Sequence, residues 1–405
     1  MSYVPPHKRH DRNLTPTPVP SSLNPKPFSS PRHRHHHHHQ ASSIPSSKIV
    51  YSPRSICRWY STSSDSEALA LVPYDSELIE RKYGSKPLTL TVADEAGLGK
   101  EEERAVLRGI VEKVAKNLIE ISQYALEEKE KEKEKEREER EDVKLLLVAR
   151  VGKVLFNGDS SVCLDSIKKA SMSEDEGWNK LISKTFYTDV SEEYITEVEE
   201  LLVGKFGFKF EAAKEHYHVK IFDKRQPDST ISCKCTASHD GNIKLYKIEL
   251  KQLRYMVTDI SCVSKNFDLR IMLTTKKKLK NLDADVANGI DQLISAAVTD
   301  SDVKGGLRWP LGKESVADRF VIVGVWHTKY KALSRDKMRV KMRLADRFDY
   351  RTSTGEAANE VSFKLSGMPE QLTEDNFREG RVIDMIQGAV DMIWDNFLTL
   401  GSTCI

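Results

Sequence analysis

Apolar positions along the chain follow two different periods, and the change of period divides it. Between residues 101 and 126, Leu107, Val111, Val114, Leu118, Ile121 and Ala125 recur at alternating spacings of four and three, which places them on one helix face. The stripe is short for a coiled coil, so packing on the protein's own core is the expectation, with a coiled coil as the alternative. From Glu127 to Asp142 every residue is charged. That run reads as a solvated helix extension, or else as an acidic-basic docking rod.

Beyond Val143 the period falls to two. Leu145 to Phe156 reads as a buried strand, and two helical stretches follow, the second carrying Tyr194, Val198, Leu201 and Leu202. Tyr217, Val219 and Ile221 alternate in the next strand. Asp240-Gly241 is a hairpin turn between strands over 231–237 and 243–253. Phe267, Leu269, Ile271 and Leu273 alternate in another strand. A helix over 283–299 takes Asp283 as its N-cap. Strands near 318–328, 337–346 and 360–366 precede a long closing helix from Glu374 to Leu398, capped by Thr373. Strands in runs followed by helices predict an α+β fold, a mainly antiparallel sheet with helices packed on one face. Phe320–Trp326 is apolar on both faces and should be a central strand.

Composition adds a boundary at the other end. Twelve of the fifteen prolines lie between Pro5 and Pro87. Residues 1–64 hold one acid, Asp11, against nine Lys and Arg. Such a segment cannot bury enough apolar surface to offset its ordering entropy, so residues 1–100 are expected to be a disordered basic tail and linker. The organisation expected is therefore tail 1–100, helix and charged extension 101–142, and a single α+β domain over 143–405. Six cysteines without a CxxC suit reduced thiols inside the cell. No apolar run approaches the ~20 residues that span a bilayer, so no membrane partner is expected. A cytoplasmic or nuclear location follows, with a mitochondrial one as the alternative, because Arg58-Trp59-Tyr60-Ser61-Thr62 looks like an import-processing site.

Candidate chemistry narrows quickly. His216-x-His218 and Cys233-x-Cys235 supply zinc-type ligands, but strand alternation sends the two pairs to opposite faces. No metal or other cofactor is expected. Gly306 to Glu314 misses the phosphate-loop spacing, and no hydrolase signature occurs. His327 is the histidine to inspect if the chain is an enzyme. A basic surface survives better. Lys337, Arg339, Lys341 and Arg343 share one strand face about 6–7 Å apart, close to the phosphate spacing of a nucleic acid. Arg270 and Lys276 to Lys280 extend that patch if their strand lies near. Arg308 and Trp309, in the Gly-flanked loop Lys304–Lys313, can hold a phosphate and stack a base, or Trp309 can plug the loop into the core.

The head Tyr3-Val4-Pro5-Pro6-His7-Lys8-Arg9 resembles the tail motif of DEAD-box helicases of translation initiation, which is associated there with the cap-binding factor. Lys8 stands where leucine is usual, and the helicase core motifs are absent. The same head, Leu245–Cys262 and the Lys304–Lys313 loop are similar to an uncharacterised plant protein family. The resemblance implies that Tyr3, Pro5, Pro6, His7 and Arg9 bind a partner, a translation or mRNA-associated protein. The functional expectation is a non-catalytic, RNA-associated binding protein whose basic strand face contacts phosphates. A protein-interaction scaffold using helix 101–142 and the C-terminal helix is the alternative, and an unrecognised enzyme the second.

Overall fold

The computed structural model describes residues 50–63, 69–93, 100–135, 144–157, 162–172, 183–225, 230–278, 283–315, 318–366 and 379–401. Ile44–Ile405 forms one compact unit. The long strands are β4 (Lys144–Phe156), β6 (Lys209–Asp223), β7 (Thr230–Ala237), β8 (Ile243–Ser261), β9 (Asp268–Lys278), β12 (Phe320–Arg335), β13 (Met338–Asp349) and β14 (Thr354–Leu365). The fold is α+β with a mostly antiparallel sheet, as the alternation predicts. Asp240-Gly241 makes the expected hairpin, with Gly241 at φ 75°, where a side chain would be strained.

The sheet is not open. Antiparallel pairing runs β4–β9–β8–β7–β6–β12–β13–β14 and returns from β14 to β4 through Ser362 opposite Arg150 and Leu365 opposite Leu147. These eight strands therefore close a barrel, which removes the unpaired edges of a sheet. β1 (Val50–Ser61) adds to β8 in parallel. A smaller group, β2 (Leu69–Pro73), β3 (Leu88–Val92) and β5 (Lys184–Tyr187), pairs around the far end of β4. Gly152 marks where β5 crosses β4, since a Cβ there would stand 2.2 Å from the Tyr187 carbonyl oxygen.

Residues 50–92 are not tail, because β1 to β3 and a short helix α1 (Glu77–Tyr83) lie within them. Trp59 explains why a polar segment folds here. Its indole is 1% exposed, packs edge-on against Phe156 at 5.4 Å and donates from Nε1 to Ser261. The helices pack on the outer face of the closed sheet, in two groups. On one flank of the barrel lie α2 (Lys100–Lys135), α4 (Glu192–Gly204) and α6 (Glu379–Asn396), which share a core with Leu147, Ala149, Ile271, Met342 and Phe363. On another lies α5 (Ala284–Ser295), over Val219, Ile221, Cys233, Cys235 and Val325. The remaining described elements are helix α3 (Leu164–Met172) and the short pair β10 (Val298–Thr299) and β11 (Leu307–Arg308).

The stripe predicted for α2 is buried as expected, and it faces α6 within the same chain. Arg104 fixes the two helices by a paired contact to Asp395, at 3.1 and 2.9 Å. The described helix ends at Lys135, and residues 136–142 of the predicted extension lie outside the described residues. Asp283 caps α5 by accepting from the Asp285 amide. Thr373, predicted to cap the last helix, lies outside the described residues. No described helix is long and apolar enough to cross a membrane.

A candidate anion site inside the barrel

Strand residues alternate between faces, so fixing one face fixes the other. Most apolar positions of the barrel strands point outward into the two helix-covered cores. The intervening positions must face the enclosed interior. On β6 these are His216, His218 and Lys220; on β7, Ser232 and Lys234; on β12, Trp326, Thr328 and Tyr330. On β13 they are Arg339, Lys341, Arg343 and Arg347; on β14, Glu356, Glu360, Ser362 and Lys364. From β4 comes Arg150, beside Ser362. An eight-stranded barrel has an interior just wide enough for side chains or one small ligand. Here the charged side chains that line it are mostly cations.

The basic strand face foreseen around residue 341 is thus the barrel wall, which corrects its location from an exposed surface to an interior one. Arg339, Lys341 and Arg343 belong to it. Lys337 does not, because it sits exposed in the turn that links β12 to β13. Arg339 pairs with Glu211 at 2.6 Å, and Lys341 lies over the Tyr330 ring at 4.4 Å.

The centre of the site is a guanidinium cluster around one carboxylate. Arg343 faces Glu360 across β13 and β14, with Nε 2.8 Å from Oε2 in an ion pair. Arg347 donates to Oε1 of the same carboxylate, and Thr188 Oγ1 donates to it at 3.0 Å. Burial alone would raise the Glu360 carboxyl, but Arg343, Arg150 and Arg347 outweigh it and hold it at about 2. Arg150 is in the opposite position. Burial, joined by the Arg343 charge, pulls its guanidinium down to about 9, and its buried Nε has no hydrogen-bond partner. With Glu356 standing opposite Arg347, two carboxylates face three guanidiniums, so positive charge remains in excess. Arg343 and Arg347 nonetheless keep 26% and 27% of their side-chain surface exposed, so solvent reaches them. Lys220 repeats the theme near one mouth. Burial, helped by Arg351, lowers its ammonium, and its Nζ lies 4.5 Å from the Trp326 ring centroid.

The other predicted residues, Arg270 apart, do not join this site. Trp309 is 6% exposed, donates from Nε1 to the Leu293 carbonyl at 2.9 Å and fills the core under α5, so it cannot stack a base. Arg308 pairs with Asp300 at 2.9 Å. Arg270 shares the interior face, directly opposite Arg150, where both oxygens of Asp259 hold it, at 2.6 and 2.8 Å, and it lies over Phe186. His327 points outward, stacked on Tyr217 at 4.6 Å with Nε2 2.7 Å from Glu215. The two cysteines are buried in the outer core while His216 and His218 face the interior, as alternation requires, with their Nε2 atoms 2.7 Å apart. Among the described residues no cluster of three or more His, Cys, Asp or Glu is arranged to hold a metal. Tyr3, Pro5, Pro6, His7 and Arg9 lie outside the described residues, as does Lys280.

Arg150, Lys220, Trp326, Arg347 and Glu360 were missed by the sequence reading. Their signal is present: each alternates with a residue of the apolar face, as in Leu147-Val148-Ala149-Arg150-Val151. What alternation leaves open is whether the polar face meets bulk water or an enclosed space.

The chain belongs to the family described as a domain of unknown function, DUF7903, whose model matches residues 43–397. None of the curated protein sequences matches it. Among solved structures, it is similar to the S. pombe Pct1 RNA triphosphatase in complex with the Spt5 CTD. That match has 11% identity and a TM-score of 0.41, covering 64% of this chain and 87% of the other. Pct1 alone gives 10% identity and a TM-score of 0.40, over 64% and 86%. A putative adenylate cyclase from Bacillus halodurans has 13% identity and a TM-score of 0.22, over 53% and 90%. These are loose superpositions, and what the chain binds has to be argued from its own residues.

Proposed function

We propose that the protein is an RNA-associated binding protein whose ligand places a compact run of phosphate groups inside the barrel. The observation that carries this reading is the excess of positive charge at Glu360: Arg150, Arg343 and Arg347 surround it, with Glu356 opposite Arg347 as the second carboxylate, and Arg150 Nε is buried without a hydrogen-bond partner. Burying like charges is costly unless an anion completes them, and guanidinium forks match phosphate oxygens. The interior width admits a single-strand end or a small phosphorylated molecule and excludes a duplex. Glu360 is held between Arg343 and Arg347 with its carboxyl kept well below the usual range, so it serves as a positioning carboxylate for the cluster rather than as a proton acceptor.

Calorimetric titration of the full chain with inorganic tripolyphosphate and with a 5′-phosphorylated single-stranded oligoribonucleotide tests this. Both should bind at low salt, with affinity falling steeply as salt rises. Arg343→Ala should weaken both. If neither ligand binds at low salt, the reading is wrong.

A further inference from the structure

An indole has no structural reason to stand on the cationic face of this barrel. Val325, its neighbour on β12, is fully buried in the outer core, and the alternation that puts Val325 outside puts Trp326 inside. There Trp326 is only partly buried. Its ring neighbours are the cations Lys220 at 4.5 Å and Arg347 at 5.6 Å, and His218 at 6.2 Å. Arg347 is also a member of the cluster on Glu360. One arginine therefore touches both the aromatic ring and the group expected to take phosphate. Tyr330, the other aromatic on this face, has Lys341 above its ring and His216 edge-on at 5.6 Å, and it makes no such bridge.

From this juxtaposition we infer that Trp326 is the stacking wall of a nucleobase subsite, so that the ligand of the barrel is a nucleotide or a nucleotide-bearing strand end rather than bare phosphate. The inference rests on the proposed phosphate-binding reading and adds the base to it. Lys220 occupies the place of the base in the free protein. Its flexible four-carbon stem lets the ammonium swing from the ring to the ligand's phosphates, while the planar base replaces it on the indole. Stacking of this kind tolerates any base, because each has a π-face.

The test compares a nucleoside triphosphate with inorganic tripolyphosphate on the full chain, for the unaltered protein and for Trp326→Leu and Trp326→Phe, with thermal melts to show that each variant is folded. Expected is tighter binding of the nucleotide than of tripolyphosphate by the unaltered protein. Trp326→Leu should lose about tenfold for the nucleotide and less than about twofold for tripolyphosphate, and Trp326→Phe should restore most of the difference. Equal binding of the two ligands by the unaltered protein would overturn the base subsite while leaving the phosphate reading intact. Equal losses for both ligands in Trp326→Leu would make Trp326 a structural residue and overturn it likewise. Failure of tripolyphosphate to bind the unaltered protein overturns both readings.

Discussion

Arg343 and Glu360 stand directly opposite each other on β13 and β14, their charged ends 2.8 Å apart, and the Glu360 side chain is only 2% exposed. The pair is the anchor of an interior whose other charges are mostly positive. Removing its acidic half should be far worse than removing a surface charge. Glu360→Gln is expected to destabilise the fold by about 3–5 kcal/mol, the usual cost of stranding a buried charge by deleting its partner. Urea unfolding measures it, and added tripolyphosphate should recover part of the loss by supplying the missing negative charge. A loss equal to that of an exposed Glu→Gln change would contradict the cluster.

The same carboxylate predicts a pH window. Its folded-state pKa, about 2, lies below the ordinary value of 4.5. A depressed acid stabilises the fold above its unfolded pKa, and that contribution fades as pH falls through the folded one. Stability due to Glu360 should therefore be complete above about pH 4.5 and drain away toward about pH 2. Comparing the acid limb of the stability curve for the unaltered protein and Glu360→Gln isolates this share, which the variant should lack.

Arg150 should separate stability from binding. Its Nε is buried without a hydrogen-bond partner, and burial with the neighbouring Arg343 pulls it down to about 9. Replacing a buried ion by an apolar residue of similar length is often neutral or stabilising. Arg150→Met is expected to leave the melting temperature unchanged or raise it, while anion affinity falls by about tenfold, in line with one charge-assisted contact. Parallel thermal melts and calorimetry check both halves.

Trp309 should behave in the opposite way. It fills the core beneath α5 and bonds to Leu293, so Trp309→Ala should cost about 3–5 kcal/mol. Ligand affinity measured well below the melting temperature should not change. A selective loss of nucleotide binding with unaltered stability would return this loop to the list of sites.

Position on the strand rather than charge should govern the basic residues around the β12–β13 turn. Lys337 is exposed in that turn, whereas Lys341 lies on the interior wall over Tyr330. Lys337→Ala should leave tripolyphosphate affinity within about twofold, and Lys341→Ala should reduce it by roughly three- to tenfold. Titrations of the two variants at one salt concentration are sufficient.

Local periodicity carried much of the architecture. Alternation in 217–221, 267–273 and 337–344 located strands and told which residues share a face, because side chains in a strand have a period of two wherever the strand lies. It also separated His216 and His218 from Cys233 and Cys235 correctly. The N-terminal boundary went wrong for a physical reason. β1 carries Pro53, two cations and few aliphatic residues, and it is held by addition to β8 and by the burial of Trp59, both contacts about two hundred residues away in the chain. Composition sums a segment's own tendency to bury itself and is blind to such a partner.

Sequence by itself determined the α+β class, the helix face of α2, the hairpin at Gly241 and the fact that Arg339, Lys341 and Arg343 share one strand face. Only tertiary structure decided what they face. Closure depends on β14 meeting β4, which places Ser362 beside Arg150, and no local pattern encodes a pairing between strands so far apart. That one closure turns a solvated basic strand into the wall of an enclosed cationic site, and it turns Trp326 from a core residue into a lining one. The physical reason is that alternation specifies two faces, while inside and outside exist only once the last pair of strands has joined.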